Sequence, residues 1–118
     1  MTAADARVQP DLIHDVGAND GADTDYYLRK GFRVVAFEAA PHLVAALRAR
    51  FADALAAGRL TIVPGAIVPP GPDGRVPDTV PFYLSPTMEE WHTADPAVAR
   101  RDRQADATTR EIAVPAVD

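Results

Sequence analysis

Two glycines, Gly17 and Gly21, bracket Ala18, Asn19 and Asp20 directly after the apolar stretch Leu12–Val16. Glycine at such positions lets the chain turn tightly and lets a ligand come close to the backbone, as the first strand-to-helix turn of a ligand-binding sheet requires. Glu38 stands seventeen residues beyond Gly21, at the end of a second apolar stretch. A carboxylate in that place can accept hydrogen bonds from both vicinal hydroxyls of a ribose. The loop from Asp15 to Gly21 and the acid at Glu38 together predict a site for a nucleoside-containing cofactor.

Charge narrows the choice of nucleoside. A dinucleotide loop has the pattern G-x-G-x-x-G and rests a pyrophosphate on the positive end of the helix. Here Asn19 occupies the middle glycine position, and Asp15, Asp20, Asp23 and Asp25 surround the loop. Four carboxylates repel a pyrophosphate, whereas S-adenosylmethionine has no phosphate and carries a sulfonium and an ammonium against a single carboxylate.

The elements that must hold these residues follow from pattern. Leu12–Val16 is a strand running into the glycine loop. The stretch 22–30 has Asp23 and Asp25 at its start, Arg29 and Lys30 at its end and Gly31 beyond, the polarity and stop signal of a short helix. Residues 32–37, β-branched and aromatic, form a second buried strand. Pro41 opens a helix whose stripe of Leu43, Leu47, Phe51 and Leu55 continues to Gly58. Residues 60–63 are a third strand. Six of the eleven prolines lie in 64–81, which predicts a proline-rich loop there. Residues 80–84 are a short strand marked as an edge by Pro81, 85–110 have no regular pattern, and 111–117 are a last strand. Strands alternating with helices predict an α/β fold with a parallel sheet and flanking helices.

The run Asp15-Val16-Gly17-Ala18-Asn19-Asp20-Gly21-Ala22-Asp23-Thr24, followed by Val34-Val35-Ala36-Phe37-Glu38-Ala39-Ala40-Pro41, resembles the first two motifs of the FkbM family of S-adenosylmethionine-dependent methyltransferases. Residues 60–63 with Ala66, then Val80-Pro81-Phe82-Tyr83 and Ile112 through Asp118, are similar to later segments of that family. The resemblance implies a Rossmann-like class I methyltransferase fold and methyl transfer to a hydroxyl oxygen of a small metabolite or sugar. It implies a cofactor site in which Asp15, Gly17, Ala18, Asn19, Gly21 and Thr24 face S-adenosyl-L-methionine and Glu38 holds its ribose. It also implies that Ser85, Thr87 and Trp91 lie near the acceptor pocket, Trp91 either covering a substrate or filling the core. Ala39 stands where the family has proline, and the chain ends before the family's fourth strand. Residues 1–118 are therefore expected to be a single, partial methyltransferase domain, truncated before that strand, with no catalytic base identifiable.

Composition bounds the alternatives. A chain of 118 residues is one ordinary domain, able to bury roughly 65% of its unfolded surface. With 47% hydrophobic and 25% charged residues it is globular rather than disordered. Its net charge of −5 argues against nucleic acid or an anionic membrane as partner. Without cysteine there is no thiolate chemistry, and His14, His42 and His92 lack metal-ligand spacing, so no metal is expected. His14, inside the first strand, is expected to pack rather than act as a base. Arg100, Arg101, Arg103 and Arg110 are interleaved with Asp95, Asp102, Asp106 and Glu111, the mark of a solvated face. The start has no basic, apolar leader, and no stretch is apolar enough for a membrane span, which predicts a soluble, cytoplasmic chain. The charge leaves small molecules or proteins as partners, and the resemblance implies a small-molecule acceptor. The rival functions are a non-catalytic remnant that binds the nucleoside weakly or is only an interaction partner through its open edge, and a nicotinamide-dependent oxidoreductase module.

Without a fourth strand, Leu12–Val16 is expected at a sheet edge, and an apolar edge invites pairing with a second copy. Self-association, segment exchange or marginal stability is the expected result in sedimentation and melting; a monodisperse monomer with a cooperative melt refutes it.

Overall fold

The computed structural model describes residues 9–84, 95 and 110–117. They belong to two compact units: one runs to Glu38 and resumes over Leu43–Val63, and the other comprises Ala39–His42 and the chain from Pro64 onward. The expectations for Ser85, Thr87, Trp91, His92 and the arginines at 100, 101 and 103 fall outside the described residues.

The first unit is built on a three-stranded sheet of β1 (Leu12–Val16), β2 (Arg33–Glu38) and β3 (Leu60–Pro64), in the order β1-β2-β3. β1 and β2 are parallel, with Asp15 opposite Ala36 and Val16 opposite Phe37. Between them runs α1 (Ala22–Arg29), which stops where Gly31 takes φ 93° and donates its N–H to the Leu28 carbonyl. The parallel pair with its crossover helix is the α/β unit that the alternating pattern dictates.

The stripe of apolar residues does face the core, but as two helices rather than one: α2 (Pro41–Arg50) and α3 (Ala52–Ala56), separated at Phe51, whose backbone sits at φ −113°, ψ 31°. The hydrogen bonds from Phe51 N–H to Leu47 and from Leu55 N–H to Phe51 carry the four-residue register across the break. Leu47 is 1% exposed, and it packs with Val34, Ala36, Val44, Phe51, Leu60 and Ile62 in one core. Burying a side chain of that size stabilises the fold by about 1.5–3 kcal/mol.

Polar groups fasten the ends of this sheet. Arg33 places Nε 2.8 Å and Nη2 3.1 Å from the two oxygens of Asp11, while its N–H donates to the Asp11 carbonyl, so the start of β1 is clamped to the start of β2. The hydrogen bonds from Arg33 hold the Asp11 carboxyl below its ordinary range, although the pair is solvent-exposed. Arg59 donates Nη2 to the Leu28 carbonyl at 2.6 Å, covering the carbonyl end of α1. β1 is a terminal strand of the sheet, and His14 and Val16 on it are exposed.

The second unit has its own sheet, in the order β4-β6-β5, from β4 (Ala66–Ile67), β5 (Thr79–Leu84) and β6 (Arg110–Val117). β6 pairs in parallel with β4 and antiparallel with β5, and Ala66, Phe82 and Val114 form the core. Pro81 lies on the terminal strand β5, as an edge assignment requires. The proline-rich stretch is partly regular: β3 reaches Pro64, β4 follows, and irregular chain is confined to 68–78. Arg110, expected in an irregular stretch, opens β6 because the ladder with β5 extends to Leu84. Among the described residues no helix is long and apolar enough to cross a membrane.

Candidate functional site

The turn from β1 into α1 lies at the carboxyl end of the parallel strands, and its backbone is tied to the end of β2. Gly17 and Ala18 both donate N–H to the Phe37 carbonyl, at 2.8 and 3.1 Å. The next N–H, that of Asn19, donates to Oε1 of Glu38 at 2.7 Å. Three successive backbone donors thus converge on two adjacent residues of β2. Glu38 is 6% exposed, so its carboxylate is buried and the charge-assisted bond to Asn19 answers part of the cost of burying it.

The loop keeps its shape through left-handed residues. Gly17 has φ 73°, Asn19 53° and Gly21 90°. The two glycines serve different needs. A Cβ on Gly17 would meet nothing within 4 Å, so the space over it is open, whereas one on Gly21 would lie 2.5 Å from Cε2 of Phe51 and 2.8 Å from Cδ2 of Leu47. Gly21 is therefore a packing glycine, the point at which the α2–α3 stripe presses on the start of α1, and Gly17 faces open space.

Beneath the loop, Thr24 is fully buried and donates Oγ1–H to Oδ2 of Asp15 at 2.6 Å. This short bond joins α1 to β1 and leaves Asp15, 8% exposed, as a buried carboxylate with a hydroxyl donor. All seven expected site residues, Asp15, Gly17, Ala18, Asn19, Gly21, Thr24 and Glu38, are thus gathered at one end of the first sheet. Asp15 and Thr24 are covered; Gly17 and Asn19 are exposed.

The acidic surroundings are less uniform than the sequence alone suggests. Asp20 turns one oxygen to the Ala22 N–H at 3.0 Å. Asp25 pairs with Arg29 at 2.9 Å, and Nη2 of Arg50 lies 3.9 Å from the same oxygen. Nη1 of Arg50 also reaches the Asp20 carbonyl at 2.7 Å, with its guanidinium 5.0 Å over the Phe51 ring. Two cations therefore stand among the four carboxylates and reduce the repulsion a phosphate would meet. Arg50 and Phe51 are neighbours of the loop that the sequence did not place there: Arg50 was not singled out, and Phe51 was expected only as part of the apolar stripe.

His14 is exposed and sets its ring edge-on to Phe37, at 5.8 Å between centroids, on the strand face opposite the buried Asp15. Its ring contact is with Phe37, and it stands away from the loop's buried acid. Among the described residues no group of three or more His, Asp or Glu side chains is placed to hold a metal ion.

The chain is 43% identical over 63 residues, 53% of its length, to the probable ribosomal RNA small subunit methyltransferase A of Haloarcula marismortui. Among solved structures it is similar to the glycopeptide N-methyltransferase MtfA, at 30% identity over 60% of this chain and 34% of that one, with a TM-score of 0.45. Both are methyltransferases by name. The matched region is 22% of the curated relative, so the chain spans about a fifth of that protein's length. No family model matches the chain.

The different duties of the two glycines give distinct mutational costs. Gly17→Ala should cost only the left-handed penalty, about 1–2 kcal/mol. Gly21→Ala should add an overpacking cost of about 1–3 kcal/mol against Phe51 and Leu47. Urea denaturation of both variants checks the contrast, and equal losses would contradict it.

Proposed function

We propose that this chain forms the cofactor-binding part of an S-adenosylmethionine-dependent methyltransferase whose acceptor is a hydroxyl of a small metabolite or sugar. The observation that carries the proposal is the buried Glu38 carboxylate at the end of β2, joined by the Asn19 N–H to a glycine turn with open space over Gly17. The donor set suits a nucleoside with a free ribose: a fixed carboxylate accepts from hydroxyls, and a turn without side chains admits close approach. The 43% identity to a protein named as a methyltransferase supports the same choice.

In this reading Glu38 binds the ribose hydroxyls, while the main chain of Gly17, Ala18 and Asn19 lines the path of the ligand. Asp15, held by Thr24, supplies negative charge beneath the loop toward the cationic end. When bound, the cofactor supplies an electrophilic methyl group for transfer to the acceptor oxygen. The chain's own contribution is to fix the ligand by its ribose and its main-chain contacts, and alignment of this kind removes several kcal/mol, roughly, from a bimolecular barrier. The relatives are named for ribosomal RNA and for a glycopeptide nitrogen. A hydroxyl of a small acceptor follows instead from the motif resemblance and from the net charge of −5, which disfavours a polyanion.

Calorimetric titration with S-adenosylmethionine and with its demethylated product tests the proposal. Micromolar binding is expected, weakened in Glu38→Ala by on the order of 2 kcal/mol through loss of a charged acceptor. Saturable binding of NAD without binding of S-adenosylmethionine would overturn the cofactor assignment; a folded chain that binds neither would mark it as a non-catalytic remnant.

A further inference from the structure

Among the described residues Asn19 is the one non-glycine residue with positive φ, at 53°. Its side chain is exposed, while its N–H is what meets Oε1 of Glu38 at 2.7 Å. Gly17 and Ala18 direct their own N–H groups to the Phe37 carbonyl, and the Asn19 N–H goes on to the next residue's side chain. The left-handed turn that follows carries the chain into α1 while the 18–19 peptide keeps that N–H on Glu38. Asparagine enters this region far more readily than other residues with a Cβ, and β-branched residues scarcely enter it.

We propose that Asn19 is a positioning residue that acts through its backbone: its left-handed conformation fixes the Glu38 carboxylate for the ribose hydroxyls, and its side-chain amide is dispensable. The inference rests on the nucleoside reading of the site and goes beyond it by dividing the labour between loop and acid. A carboxylate held by a backbone N–H keeps one orientation before a ligand arrives, so binding does not have to select that orientation from several. If the peptide rotates out of the left-handed region, the N–H leaves Glu38 and the carboxylate loses this donor, although no group that touches the ligand has been removed.

The test uses the full chain and the demethylated product of S-adenosylmethionine as probe. Wild type, Asn19→Gly, Asn19→Ala and Asn19→Val are titrated by calorimetry, each also in a Glu38→Ala background. Asn19→Gly, which keeps the left-handed turn without the amide, is expected to bind within about threefold of wild type. Asn19→Val is expected to lose on the order of tenfold, with Asn19→Ala between them. With Glu38 removed, the same change at Asn19 should alter affinity by less than about twofold, because the two residues act through one contact. A merely structural role would give multiplying losses instead. If Asn19→Val does not melt cooperatively, the Gly and Ala variants carry the comparison. Equal losses for the Gly and Ala variants, or losses that multiply with Glu38→Ala, overturn the inference while leaving the nucleoside site standing. Failure of the wild type to bind removes the nucleoside reading itself, and this inference with it.

Discussion

The arrangement depends on one contact, the hydrogen bond from the Asn19 N–H to the Glu38 carboxylate. A strand that turns directly into a helix leaves several backbone donors without strand or helix partners, and buried donors must be answered. Here the end of β2 answers them, through the Phe37 carbonyl and then the Glu38 side chain. The same bond meets the converse need, since a carboxylate with 6% exposure requires donors of its own. Loop shape and acid position are therefore set together. Gly21 and the Asp15–Thr24 bond then fix the loop from the other side, against the α2–α3 stripe and against α1.

Much of this was legible before any coordinates because the decisive residues act locally. The glycines at 17 and 21, the charge polarity of α1, Gly31 as its stop and the four-residue stripe from Leu43 to Leu55 each specify backbone geometry within one or two turns. β1 was delimited by its own residues, Leu12–Val16, and β2, β3, β5 and β6 fell within a residue of their ends, whereas β4 lies in the stretch expected to be a loop. What was not legible is tertiary. Periodicity cannot reveal that Phe51 interrupts the helix to press on Gly21, because its spacing from Leu47 and Leu55 stays at four. Nor can it show β6 lying between a parallel and an antiparallel neighbour, which depends on pairings between residues far apart in the chain.

Electrostatics was the least legible property. The sequence shows Asp15, Asp20, Asp23 and Asp25 within eleven residues, and a simple count makes the loop strongly negative. Arg50, thirty residues beyond Asp20, returns to that loop and binds both a carbonyl and, more distantly, a carboxylate. The exclusion of a pyrophosphate on charge alone is correspondingly weaker. The proposed preference for a nucleoside bearing a free ribose rests instead on Glu38.

Hydrogen exchange at single amides tests the coupling of loop and acid most directly. Glu38→Ala should speed exchange at the Asn19 amide by on the order of tenfold or more. The Gly17 and Ala18 amides, bonded to the Phe37 carbonyl, should change far less and serve as internal references. An Asn19 amide that exchanges at the same rate with and without the Glu38 carboxylate would contradict the account, since the loop would then hold its shape without the acid.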